Sequence, residues 1–530
     1  MSLHAKPRIL LGTGFFFVIK ILPIPILLGL SAGCASLPAN TNRPYSEALP
    51  PDPKTPLAQA TETQIKGHPG QSGFYPLASG LEALVARMAA VVVSDRSIDL
   101  QYYIWENDLT GRMLLHEVLR AADRGVRVRV LLDDLNQSRY EKGLAILDYH
   151  PNVEVRMANP FAGRTWKILD AMRFSTVNRR MHNKVFVVDN QTAIVGGRNI
   201  GDEYFGASEE MNFGDFDLWA IGPVVQELSR HFDTYWNSEI AYPISVLVKG
   251  FKPTLEDLQK LKDDAAAAIT EAEKTQYADA LKETPIVKKF THEPMKLYWG
   301  KADVVMDPPE KFHQDSKDQV DNLARQLYPL IEKTEKELIL VSPYFVPGKK
   351  GVKFFKHLND RGVQSLVLTN SLASSDVATV FSGYKGYRKD LLDQGVSLYE
   401  LKPNSPTTTP KKNRVGSSFS SAGLHGKIFV FDRKKVFVGS MNLDPRSATL
   451  NSEMGVVVDS PELAEMISTN LIAHLRRDSY QVLLNEKNNL IWKTTDDCGL
   501  EHVFSKDPET SWWKRFKASL SAIFIPESWL

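Results

Sequence analysis

Two stretches of this chain carry one pattern: HNKVFVVDNQTAIVGGRN at residues 182–199 and HGKIFVFDRKKVFVGSMN at residues 425–442. In each, a lysine follows the histidine by two residues, an aspartate by seven, a glycine by fourteen and an asparagine by seventeen. The chain has 12 histidines. With a frequency of about 0.06 each for Lys, Asp and Gly, one chance match to the first four letters is expected in about one of four hundred such chains. Two matches mark two copies of one unit. Residues two apart on a strand share a face, so His182 with Lys184, and His425 with Lys427, present an imidazole and an ammonium together to an anion. The apolar runs Val185–Val188 and Ile428–Phe431 anchor those strands in a core. Gly196–Gly197 and Gly439–Ser440 end the next strand, where small residues let an anion come close. Two such half-sites facing each other would set His182, Lys184, Asn199, His425, Lys427 and Asn442, with Gly197 and Ser440, around one phosphate.

The surroundings repeat with the motif. Ser97–Trp105 (SIDLQYYIW) alternates as a strand does, Gly111–Gly125 reads as a helix and Val126–Asp133 as a second strand. Glu337–Phe345 (ELILVSPYF), Gly351–Gly362 and Val363–Thr369 repeat that order, with DRGV at both Asp123–Val126 and Asp360–Val363. Third strands follow at Val153–Met157 and Val396–Leu401. The fold class expected is α/β: two tandem α/β/α domains related by a pseudo-twofold, with the active site at their interface. The boundaries read as a targeting or anchoring segment (1–34), a proline-rich linker (35–77), a first domain (78–245), a charged helical insertion (246–295), a second domain (296–476) and an amphipathic C-terminal segment (477–530). Within the insertion, Thr254 and Asp257 form a capping-box pattern and predict a solvated helix.

Composition narrows the classes. Of 530 residues, 43% are hydrophobic and 24% charged, and Lys+Arg 64 against Asp+Glu 63 leaves +1. That balance argues against a nucleic-acid binder, and two cysteines, Cys34 and Cys498, exclude a disulfide framework. Zinc-protease, serine-hydrolase and P-loop motifs are absent from the sequence. Lys6 and Arg8 precede two apolar runs, Ile9–Ile19 and Ile21–Gly33, that end in Leu30-Ser-Ala-Gly-Cys34. This resembles a bacterial lipoprotein signal with Cys34 lipidated; an uncleaved anchor and an ordinary cleaved signal are the alternatives. All three export the body to the far side of an inner membrane, and the first two leave it membrane-associated in the bacterial cell envelope, facing the periplasm. Near the second motif, Lys411, Lys412, Arg414 and Ser417–Ser421 form a polar loop, read as a lid or a solvated loop. Trp512-Trp-Lys-Arg-Phe516 opens a C-terminal segment suited to a lipid interface or to docking on the protein itself.

The doubled H-x-K-x4-D-x6-G-[GS]-x-N pattern resembles the phospholipase D superfamily over roughly Ala78 to Arg476. The runs Gly197–Phe205 (GRNIGDEYF), Thr369–Leu372 (TNSL) and Asn442–Ser447 (NLDPRS) are similar to bacterial cardiolipin synthases, and Asn178–Lys184 (NRRMHNK) and the C-terminus to their cardiolipin synthase C branch. The resemblance implies a phosphatidyltransferase working through a phosphohistidine, with one motif histidine as nucleophile and the other as acid and base. These are His182 and His425 in that order, or the reverse, since the two halves are too alike for the sequence to decide. Lys184, Lys427, Asn199 and Asn442 would hold the non-bridging oxygens, with Gly197 and Ser440 beside the phosphate. An acidic residue should orient each imidazole, and Asp215 and Glu453, each eight residues before a proline, are the candidates. Asp189 and Asp432 complete the catalytic motif, although their position suits fixing a local loop. No metal or cofactor is called for, because two ammonium groups supply the positive charge. The expected partners are phospholipid substrates and a membrane surface, no nucleic acid, and no identifiable protein. The expected product is cardiolipin, from phosphatidylglycerol as acceptor and phosphatidylglycerol or phosphatidylethanolamine as donor. A phospholipase D releasing phosphatidic acid is the alternative, ahead of a nuclease or a non-catalytic lipid-binding lipoprotein.

Overall fold

The computed structural model describes residues 36–530 apart from 42, 165–166, 168–169, 171–172, 287–294, 315–320, 404–420, 497 and 525–530. Cys34 and the targeting segment, residues 411–420 of the polar loop, and Trp529 lie outside the described residues. The first half holds strands β1 (Ser72–Leu77), β2 (Ser97–Tyr102), β3 (Arg127–Asp133), β4 (Val153–Ala158), β5 (Val185–Val188), β6 (Thr192–Gly196), β7 (Met211–Gly214), β8 (Asp217–Ile221) and β9 (Ala241–Pro243). The second holds β10 (Tyr298–Met306), β11 (Glu337–Val341), β12 (Gln364–Asn370), β13 (Ser397–Leu401), β14 (Ser421–Leu424), β15 (Ile428–Phe431), β16 (Lys435–Gly439) and β17 (Met454–Asp459). It continues into β18 (Ser479–Leu484), β19 (Leu490–Thr495) and β20 (Glu501–Phe504).

The expected α/β duplication is present. In the first half β2, β3 and β4 are parallel neighbours, and β5, β6 and β8 extend the sheet antiparallel from β2. In the second, β11, β12 and β13 are parallel, and β15, β16 and β17 take the matching places. Helices cross over between the parallel strands. Leu109–Asp123, capped by the Asp108 carboxylate on Gly111 N–H, joins β2 to β3, and Gly348–Asp360 joins β11 to β12. The repeated DRGV has a backbone cause: Gly125 and Gly362 sit at φ +97° and +80°, the left-handed turn that ends each helix and starts the next strand. With helices covering both faces, β5 and β15 are buried throughout, which is why they read as unbroken apolar runs.

The halves are not separable bodies. β1 pairs with β10 and joins the two sheets. Phe74, Leu218, Leu228 and Phe232 of the first half share one apolar cluster with Val436, Val438, Val456 and Leu463 of the second.

Three of the expected boundaries need correction. Residues 35–77 are not a free linker, because β1 falls inside that range and pairs with β8 and β10, and Pro56–Lys66 is helical. The extended part is fastened too: Asn40 donates to the Glu239 and Ala241 carbonyls, and Ala48 N–H bonds Asp233 at 2.8 Å. The insertion helix Leu255–Glu273 does carry the Thr254/Asp257 capping box, but it is not simply solvated. Its Leu258, Ala265, Ala268 and Ala272 are buried in the first-half core, where alanines allow close helix–helix approach. Residues 477–530 are more than an amphipathic segment, since they add β18, β19 and β20 before the final helix, Trp512–Phe524.

Burying a carboxylate in this alanine face costs more than the ~2–7 kcal/mol of an unpaired neutral polar group. Ala268→Asp should therefore release the insertion helix. Limited proteolysis is expected to cut within 250–285 in the variant and not in the parent, and equal cleavage in both would contradict the packing.

Candidate active site

Each motif histidine lies three residues ahead of a core strand, His182 before β5 and His425 before β15. Backbone pairing between the halves sets its position. His182 N–H donates to the Ser452 carbonyl at 2.9 Å, and Ser452 N–H donates to Arg180 at 2.9 Å. In the other copy β14 runs parallel to β7, and the His425 and Gly426 N–H groups donate to the Gly214 carbonyl at 2.8 and 3.1 Å. The next residues after Ser452 and Gly214 are Glu453 and Asp215, so each carboxylate arrives beside the opposite half's imidazole. His182 Nδ1 lies 2.8 Å from Glu453 Oε2, and His425 Nδ1 lies 2.5 Å from Asp215 Oδ2. The site is built from crossed pairs.

The ammonium groups sit within the same cluster. Lys184 Nζ donates to the His182 carbonyl at 2.6 Å; Lys427 Nζ donates to the His425 carbonyl and lies 3.0 Å from His425 Nδ1. His182 and His425 are only 8% and 7% exposed, and the lysines less still. Tyr103 lies edge-on to His182 at 5.0 Å between ring centroids, and Tyr204 and Phe213 lie 5.2 and 5.3 Å from His425.

This burial sets the charge states. Desolvation lowers His182 to about 4, with Lys184 and Lys427 acting in the same direction against the Glu453 carboxylate. Desolvation and then Lys427 lower His425 to about 3 against Asp215. Both imidazoles are therefore neutral at pH 7. Burial brings Lys184 to about 7 and Lys427 to about 8, although the carboxylates oppose it. For Glu453 and Asp215 burial favours the neutral acid, but the contacts with the neighbouring histidine and the lysine charges outweigh it and hold both below the usual carboxylate range.

A model of the cardiolipin synthase, PLD-like domain matches residues 91–236 and 327–475. Cardiolipin synthase C of Escherichia coli K12 is 38% identical over 475 residues, covering 89% of this chain and 99% of that protein. A cardiolipin synthase of Halalkalibacterium halodurans is 23% identical over 440 residues, 82% of this chain and 70% of its own. The chain belongs to the cardiolipin synthase family of phospholipase D-like proteins. Its fold is shared with a phosphatidylserine synthase of Haemophilus influenzae, at a TM-score of 0.54 and 13% identity over 88% of this chain and 96% of that one.

Within this family motif, several expected roles change. Asp189 and Asp432 are not part of the reacting cluster. Asp189 accepts the N–H groups of Asp95, Arg96 and Ser97, and Asp432 those of Glu335, Lys336 and Glu337. Both carboxylates are spent stapling the loop that enters β2 or β11. Gly197 and Ser440, expected beside the phosphate, lie against the carboxylates. A Cβ on Gly197 would come 2.3 Å from Asp215 Oδ1. Ser440 Oγ donates to Glu453 Oε2 at 2.5 Å and accepts from Met454 N–H at 3.0 Å. Asn199 is committed as well, donating to Tyr204 Oη at 2.9 Å and accepting from Ile104 N–H at 3.3 Å. Asn442 differs: its Oδ1 is buried with no partner among the described residues.

Two positioning residues had no sequence signal. Arg198 donates to the Leu77, Ala78 and Asp215 carbonyls, which fixes the backbone carrying Asp215. Asp307 accepts from Glu453 N–H at 2.8 Å and does the same for Glu453. Tyr103 could have been suspected from its place at the end of a repeated strand.

Gly197→Ala should push Asp215 from His425 and lower kcat by about 10²-fold or more, the scale of a misplaced catalytic group. Ser440→Ala removes two hydrogen bonds, of which the donation to Glu453, about 1–2 kcal/mol, bears on activity and should cost about tenfold. Steady-state kinetics on both variants checks the order, and equal losses would contradict it. Asp189→Ala strands three backbone donors, so thermal unfolding should show a lowered Tm in that variant.

Proposed function

We propose that this chain is a phospholipase D-type phosphatidyltransferase that forms cardiolipin, with phosphatidylglycerol as acceptor and phosphatidylglycerol or phosphatidylethanolamine as donor. The observation that carries the mechanism is the crossed pairing of His182 with Glu453 and His425 with Asp215. The 38% identity to cardiolipin synthase C over nearly its whole length supports the product.

The charge count explains how two like histidines divide the work. Lys184 and Lys427 balance Glu453 and Asp215, so with neutral imidazoles the resting site carries no net charge. A phosphodiester adds one negative charge, which raises an adjacent imidazole's proton affinity and favours one proton on the pair. His425 takes it. Asp215, whose other side-chain bond is to its own neighbour's N–H, stays available to stabilise the imidazolium, while Glu453 is shared with Ser440. Neutral His182 attacks phosphorus, the phosphorus–oxygen bond to the leaving alcohol breaks, and His425 protonates that alcohol. The incoming lipid hydroxyl then gives its proton to His425 and displaces His182, breaking the phosphorus–nitrogen bond. The ammonium groups stabilise the extra negative charge at each transition state. The phosphohistidine keeps the diester's transfer potential, so nucleotide activation is unnecessary, and low solvent access favours alcohol over water.

For localisation, we read the body as exported to the periplasmic side and held by a lipid on Cys34 or by an uncleaved anchor. The fastening of Asn40 and Ala48 to the first half supports attachment close to the body, without a long tether.

Expression in cells lacking cardiolipin should restore it, and His182→Ala or His425→Ala should abolish it. Phosphatidic acid alone would establish the hydrolase instead. In the His425→Ala protein, mass spectrometry should map a trapped phosphatidyl group to His182; finding it only on His425 in His182→Ala would reverse the roles. Because His425 must take up a proton that it lacks in the free enzyme, kcat/KM should fall as pH rises above about 4, and more steeply through about 7–8 as Lys184 and Lys427 lose their charges. A profile flat to pH 9 would show that the ammonium groups are not needed.

A further inference from the structure

The C-terminal helix Trp512–Phe524 carries the most conspicuous surface feature of the described residues. Trp512, Trp513, Phe516 and Leu520 are 60%, 61%, 43% and 43% exposed. The three aromatic rings pack on one another, with centroids 4.8, 5.3 and 5.8 Å apart, so they form one patch. The helix is not loose. Ala518 is fully buried, Lys514 Nζ donates to the Ala373 carbonyl at 3.0 Å, and Lys385 Nζ donates to Ser519 Oγ at 2.9 Å.

That docking ties the patch to the second half-site. Next to Ala373, Ser374 Oγ donates to Asn370 Oδ1 at 3.0 Å. Asn370 bonds Leu424 through both its N–H, at 2.8 Å, and its carbonyl, at 3.0 Å. The residue after Leu424 is His425. A short, hydrogen-bonded path therefore runs from the aromatic helix to an imidazole of the site.

We propose that this helix is an interfacial docking surface for an anionic phospholipid bilayer, holding the His425 side of the site against the lipid that supplies its substrate. The proposal rests on the phosphatidyltransferase reading. Charge complementarity selects the occupant. Residues 511–520 (SWWKRFKASL) include Lys514, Arg515 and Lys517 and no acid. The bonds of Lys514, Arg515 and Lys385 go to neutral oxygens, so they leave the positive charges unneutralised. Indole rings settle at headgroup depth, and lysine and arginine reach from there to lipid phosphates. Thirteen residues are too short to span a bilayer, so the helix lies in the interface plane.

The test uses the full chain and its W512S/W513S/F516S variant. Two substrates are compared: phosphatidylglycerol in phosphatidylethanolamine vesicles, and a short-chain phosphatidylglycerol dissolved as monomers. Vesicle turnover should fall about tenfold or more, the equivalent of about 1.4 kcal/mol of lost interfacial binding. Monomer turnover should be unchanged. Brominated lipid should quench the parent's fluorescence, and the variant should lose that share of quenching although seven of the 9 tryptophans remain. Equal vesicle turnover with equal quenching would overturn the proposal. So would a variant that alters self-association of the chain and leaves vesicle turnover intact. If the parent turns over neither substrate, the phosphatidyltransferase reading fails, and the quenching comparison decides the docking surface by itself.

Discussion

A buried carboxylate is tolerated only when something nearby answers its charge. Here the answer for Glu453 is His182 with Lys184, and for Asp215 it is His425 with Lys427. Each partner pair spans the two halves. Neither half folded alone could satisfy its own acid, and the shared core of Phe74, Leu218, Val438 and Val456 keeps the acids from finding water instead. The duplication is therefore more than two copies side by side, because it exchanges one functional group in each direction.

The exchange is not perfectly symmetric, and the differences compensate. Glutamate is one methylene longer than aspartate. The longer Glu453 is held by Ser440, while the shorter Asp215 needs the space that Gly197 leaves. Small residues at this motif position thus adjust carboxylate reach in each half. The surrounding charges differ as well: Asp376 and Asp444 act on Lys427, while Asp133 acts on Lys184. Two histidines in related frames consequently meet different fields, which is what division into nucleophile and acid requires.

Low solvent access connects this electrostatics to the reaction outcome. Burial keeps both imidazoles neutral, and Tyr103, Tyr204 and Phe213 wall them with aromatic surface. The same dry setting strengthens the lysine contacts to a phosphate and disfavours water as acceptor. A site this closed depends on receiving lipid in the right orientation, and the exposed aromatic helix next to the His425 half offers a surface to deliver it.

Much of this was legible in the residues. The strands Ser97–Tyr102 and Glu337–Val341, their crossover helices and the duplication follow from local periodicity, and the DRGV glycines announced the turns that close each unit. The His and Lys of each motif could be paired because two residues on one strand must share a face. Local patterns missed what depends on distant packing: the strand Ser72–Leu77 inside a proline-rich stretch and the buried alanine face of Leu255–Glu273. The sequence by itself determined the duplicated α/β fold, the two His-Lys grips and the identity of the two acids. Only the tertiary structure decided which acid serves which histidine. Those contacts join residues 271 and 210 positions apart and are set by backbone pairing between the halves, an interaction that no local spacing of side chains can encode.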